Sequence, residues 1–83
     1  MMTIDTQAET MRRVMALAGR HSAEIFYRDD YPPAVEFASG EVSAVFHSRH
    51  GDVWATFTAD GQATTRRVDS PAAADAVVNR IFA

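Results

Sequence analysis

Between residues 23 and 68, apolar and polar side chains alternate with a period of two, and short turn signals interrupt the alternation at Ser39-Gly40, His50-Gly51 and Asp60-Gly61. No other feature of the sequence constrains the fold as much. A period of two is the strand repeat, in which successive side chains point to opposite faces. Turns this short join neighbouring strands as hairpins, so the strands run antiparallel. The segments that read as strands are residues 23–28, 34–38, 42–48, 53–58 and 63–68. The first is ended by Asp29-Asp30-Tyr31-Pro32-Pro33, because two prolines cannot donate to a ladder.

On either side of this block the period changes to that of a helix. Ile4, Ala8, Met11, Met15 and Ala18 recur at spacings of three and four, with Val14 and Leu17 widening the stripe. Thr6 and Glu9 have the spacing of a capping box, and Gly19 is placed to stop the helix, with Arg20 and His21 at its negative end. After the strands, Ser70 is a good N-cap and Pro71 fits the first helical position. Ala74, Val77, Val78, Ile81 and Phe82 then form a complete apolar stripe.

The expected fold is therefore α+β, in the order α-β-β-β-β-β-α. It is a single small domain over residues 1–83, an antiparallel meander of four or five strands with both helices packed on one face. The chain of 83 residues is too short for a second domain, and its 47% hydrophobic content is that of a globular chain.

Alternation assigns the strand residues to two faces. The face expected to meet the helices carries Ile25, Tyr27, Val35, Phe37, Val42, Ala44, Phe46, Val53, Ala55 and Phe57. The opposite face is expected to carry Glu24, Phe26, Arg28, Glu36, Ser43, Val45, His47, Trp54, Thr56, Thr58, Thr64 and Arg66. Most of these are polar, as a solvated face requires, but Phe26, Val45 and Trp54 are not. Gathered together, those three form an apolar patch rimmed by Arg28, Glu36, His47 and Arg66, the composition of a protein-binding hot spot. The alternative is that the sheet folds Trp54 under the segment 29–33, making the patch a satellite of the core.

Charge and composition narrow the function classes. Eight basic residues, all arginine, stand against eleven acids, for a net charge of −3. A mildly negative chain lacks the basic face that nucleic-acid backbone demands, which leaves a protein partner or a small ligand. A homodimer that stacks two copies of the patch is a further alternative. There is no cysteine, hence no disulfide or thiolate metal site. Neither a signal peptide nor a membrane span is recognisable, and a cytoplasmic location is the expectation.

Sites of chemistry are sparse. His47, His50 and Asp52 are metal-ligating types, but residues three apart on a strand point to opposite faces. Asp29-Asp30 is followed by prolines rather than by the alternating oxygens calcium needs, and turn chemistry explains it better. Arg12-Arg13 and Arg66-Arg67 are basic doublets that read as solvated surface. No serine lies in a nucleophile-elbow pattern, and His47 points away from its neighbour Ser48. No cofactor and no catalysis are expected. The expected function is a small protein that binds and neutralises a larger macromolecule, as immunity proteins and phage-encoded inhibitors of bacterial defence systems such as CRISPR do. The alternatives are a homo-oligomeric accessory subunit and a metal or small-ligand binding domain.

Overall fold

A computed structural model describes residues 2–29 and 31–83, and the side chains of all of these except Arg28 and Tyr31. Helix α1 spans Ile4–His21 and is followed by β1 (Glu24–Arg28), β2 (Tyr31–Ser39), β3 (Val42–Arg49), β4 (Asp52–Ala59) and β5 (Gln62–Val68). Helix α2, Pro71–Phe82, closes the chain. The five strands form one antiparallel sheet in the order β1-β2-β3-β4-β5, the meander that the short turns dictate. Both helices lie on one face.

The turns are built as their residues require. His50-Gly51 and Asp60-Gly61 both adopt positive φ (52° and 81°, 55° and 76°), the pattern of type I′ hairpins, whose twist matches that of the flanking strands. The Gly40-Glu41 turn has a positive φ only at Gly40, 62°. Histidine at the first of these positions is unusual, and the following glycine accepts the rest of the turn.

Helix α1 differs from expectation at both ends. Its cap is Thr3, one turn before the Thr6–Glu9 pair. The Thr3 hydroxyl accepts from the Thr6 amide at 3.1 Å, satisfying one orphan donor of the first turn. Gly19 lies within the helix, and Ser22 takes the left-handed cap instead, with φ 52°. The Ala23 amide then donates back to the Ala18 carbonyl at 3.0 Å. Ile4 is 84% exposed rather than part of the buried stripe. At 3.6 residues per turn it lies about 80° around the helix from Val14, the centre of that stripe.

The core is one cluster between the sheet and the helices. Val14, Leu17 and Ala18 of α1 and Ala74, Val78 and Ile81 of α2 pack on Val35, Phe37, Ala44, Phe46, Val53, Ala55 and Val68. Ile25, Val42 and Phe57 pack at its margin. Tyr27, expected on this face, is exposed. The register between β1 and β2 slips between Phe26 and Arg28, and a bulge there re-aims the strand. An aromatic group ties the elements together: the Phe37 ring meets His21, Phe46 and Phe82 edge-on at 5.6–6.4 Å, and His21 stacks on Phe82 at 4.1 Å.

Pro32 and Pro33 do not end a strand but belong to β2. They sit where ladder bonds are missing anyway: the pairing slips beside them on the β1 side, and the ladder to β3 runs only from Val35–Phe46 to Ser39–Val42. A residue without an amide hydrogen is tolerated there. Of the Asp29-Asp30 pair, Asp30 lies outside the described residues.

Candidate protein-interaction face

The helices cover one face of the sheet and leave the other open. Register fixes what that open face presents. Glu24 pairs with Glu36, Glu36 with Val45, Val45 with Thr56 and Thr56 with Thr65, forming one row across all five strands. The adjacent row holds Phe26 opposite Ala34, and His47 opposite Trp54 opposite Arg67. The hydroxyls of Thr56 and Thr65 hydrogen-bond to each other at 2.9 Å.

Between the two halves of the second row the sheet opens. The β2–β3 ladder stops at Val35–Phe46, and beyond it Pro32 and Ala34 face Val45, His47 and Ser48 across a cleft of about 740 Å³. Gln7 of α1 reaches the same cleft. The face is thus grooved rather than flat.

Of the residues expected to form one patch, Val45 and His47 line this cleft, Trp54 lies next to His47 on the adjacent strand, and Glu36 is opposite Val45. Phe26 is on the same face and 46% exposed, but three strand spacings, about 14 Å, separate it from Trp54. The Arg28 side chain lies outside the described residues. Trp54 is half-buried within its row, and its strand lies two strands from that of Pro32 and Pro33.

Arg66 and Thr64 are corrections. Arg66 pairs with Ala55 and Thr64 with Phe57, both residues of the helix-bearing face. A two-residue turn pairs residues of opposite parity, so even-numbered Trp54 must meet an odd-numbered partner across Asp60-Gly61. That partner is Arg67. Arg67 is the rim residue that counting alternation without the turn misses. The cleft too had a signal in the sequence, since Pro32-Pro33 leaves β2 unable to complete its ladders.

His50 lies in the β3–β4 turn, His47 on the open face, and Asp52 is committed elsewhere. The Asp52 carboxylate accepts from the Met2 amide at 2.7 Å and lies 3.9 Å from the Arg67 guanidinium, fastening the chain's start to the sheet. Among the described residues no three His, Cys, Asp or Glu side chains gather as a metal site.

His47 ionises below its ordinary value of 6.5, first because burial strips water from the imidazolium, then because Arg49 repels it. The open face therefore presents a neutral imidazole at pH 7. A lowered histidine pKa means the unfolded chain takes up the proton first as pH falls, so acidification through 6.5 weakens the fold. Melting followed from pH 7.5 to 5.5 is expected to show a falling midpoint, with a shallower slope in His47→Gln. An unchanged slope in the variant removes His47 as the cause.

The Trp54 indole nitrogen is buried and has no hydrogen-bond partner among the described residues. A donor stripped of water and left unpaired costs about 1–3 kcal/mol. Replacing Trp54 by Phe removes that donor along with part of the ring, so the two effects oppose. Chemical denaturation of Trp54→Phe is expected to give a stability within about 1 kcal/mol of wild type, and a loss above that would mean the indole is structural.

No helix among the described residues is long and apolar enough to cross a membrane. Compared with protein-family models, with curated proteins and with solved structures, the chain matches none.

Proposed function

We propose that this chain is a small non-enzymatic protein-binding protein that docks on a larger macromolecule through its open sheet face and blocks it, in the manner of an immunity protein or a phage-encoded anti-defence inhibitor. The observation that carries the reading is the half-buried Trp54 beside His47, which with Val45 lines an open cleft, on a face that no helix among the described residues covers. Aromatic anchors beside a concavity, with polar groups around them, are where binding energy concentrates in interfaces. Glu24 and Glu36 on one side and Arg67 on the other supply the rim. Affinity capture from a lysate of the source cells, with wild type and folded Trp54→Ala side by side, tests it. A partner held by wild type and lost by the variant supports the reading, and equal capture removes the face from it.

A homodimer stacked through the same face is the second reading, and one observation favours it. Glu24 and Glu36 lie on the β1–β2 side of the face and Arg49 and Arg67, with Asp52 between their strands, on the β3–β5 side, so a stack about a two-fold axis along the strands lays the glutamates towards the arginines. Light scattering that shows a strict monomer at high concentration eliminates it.

A further inference from the structure

The sheet ends at β5, and this edge is bare. Every residue from Gln62 to Arg67 is exposed. The outer row of backbone donors and acceptors on an edge strand is a template for another strand. On the helix-bearing side, α2 lies over β2 and β3 and only skirts β5. A trough of about 240 Å³ remains between α2 and the edge. Its floor is Ala55, Phe57 and Val77, and three arginines line it: Arg66, Arg80 and Arg67, the last of which lies 3.9 Å from the Asp52 carboxylate. The Arg80 guanidinium lies over the Phe57 ring, 4.0 Å from its centroid. Through this contact Arg80 keeps its charge for a further partner. Neither Arg66 nor Arg80 has an ion pair among the described residues.

Edge arginines often serve only to discourage strand pairing. Here they flank an apolar trough, and their charge selects among occupants. A second copy pairing β5 with β5 would bring a strand with two arginines and no acid against its like, with both Arg80 side chains nearby. Like charges at that junction oppose a homodimer. An acidic segment meets the opposite situation.

We propose that the β5 edge and the trough beside α2 form a second docking site, one that takes an extended acidic segment of a protein partner as a sixth strand. A carboxylate of that segment sits between Arg66 and Arg80, and an apolar side chain two residues away, on the same side of the strand, lies against Phe57 and Val77. Backbone ladder bonds give affinity and the alternate side chains give specificity. The paired guanidiniums are suited to a carboxylate by geometry as well as by charge. The site uses the helix-bearing side and an edge, and it shares with the Trp54 face only the rim residue Arg67.

The test is a titration of the full-length ¹⁵N-labelled chain with the blocked heptapeptide Thr-Val-Thr-Glu-Thr-Val-Thr, followed by amide and arginine side-chain resonances. Shifts are expected at β5, along α2 and at Arg66 and Arg80. Replacing the peptide's Glu by Lys, or Arg66 by Gln, is expected to weaken binding by about tenfold or more. Arg66 is exposed, and a melting curve confirms that Arg66→Gln stays folded. N-methylating the peptide backbone on its pairing edge is expected to abolish the shifts, and Trp54→Ala to leave them unchanged. Absence of shifts at millimolar peptide, equal binding of the Lys peptide, undiminished binding to Arg66→Gln or undiminished binding of the N-methylated peptide overturns the proposal. So does displacement of the peptide by oligothymidylate at equal concentration, which would assign the arginines to phosphate.

Discussion

Replacing Phe37 by alanine is expected to lower the melting midpoint by at least about 12 °C, and in a domain this small it brings the chain close to unfolding at 37 °C. The side chain is 1% exposed. Its ring meets rings from three other elements: His21 at the end of α1, Phe46 on β3 and Phe82 at the end of α2. Truncating a buried phenylalanine costs about 3–5 kcal/mol through lost transfer energy and the cavity left behind. The edge-on ring contacts add to that figure, about 0.5–1.5 kcal/mol for a favourable pair. Phe26→Ala is the control. Its side chain is nearly half exposed on the open face, so its loss is expected to shift the midpoint far less. Equal shifts for the two variants would mean that the faces of the sheet have been assigned wrongly.

The second large effect concerns binding rather than folding. Trp54→Ala is expected to weaken the partner complex by more than about 2 kcal/mol, roughly thirtyfold in Kd, because truncating a central aromatic anchor removes both its contact area and the desolvation around it. Trp54 lies on the open face between His47 and Arg67, outside the buried cluster. The fold should therefore survive its loss with a modest decrease in stability. Phe26→Ala, about 14 Å away, is expected to weaken binding less, since it stands at the rim of any interface centred on Trp54.

Much of this architecture was legible because local signals and long-range pairing agreed. Asp60-Gly61 and His50-Gly51 fixed two hairpins, and each hairpin fixed the faces of the strands it joins. The stripe of α2 was complete in the sequence, and Ala74, Val78 and Ile81 are its buried line. The departures also have physical causes. Prolines read as strand breakers, but Pro32 and Pro33 occupy positions where the sheet has already lost its ladder, and pairing on the rest of β2 holds them extended. The left-handed cap of α1 falls on Ser22 although Gly19 is better suited to it, and the extra turn carries His21 to its stack on Phe82. Alternation within β5 alone assigns Arg66 to the open face, whereas it pairs with Ala55 on the helix-bearing face. The parity of the turn before it decides the question.

The candidate site was less legible than the fold. Alternation put Val45, His47 and Trp54 on one face, and the register confirms that placement. The cleft beside them depends on two strands parting, which single-strand periodicity does not express. The trough beside α2 likewise depends on where a helix comes to rest across the sheet. Both are consequences of packing and follow only from the assembled fold.

The most direct measurement is the affinity of the captured partner for wild type and for Trp54→Ala, each verified as folded by its melting curve. A loss of about thirtyfold or more is expected in the variant, with the cooperative unfolding transition retained. A folded Trp54→Ala that binds as tightly as wild type contradicts this, because the open face would then play no part in recognition.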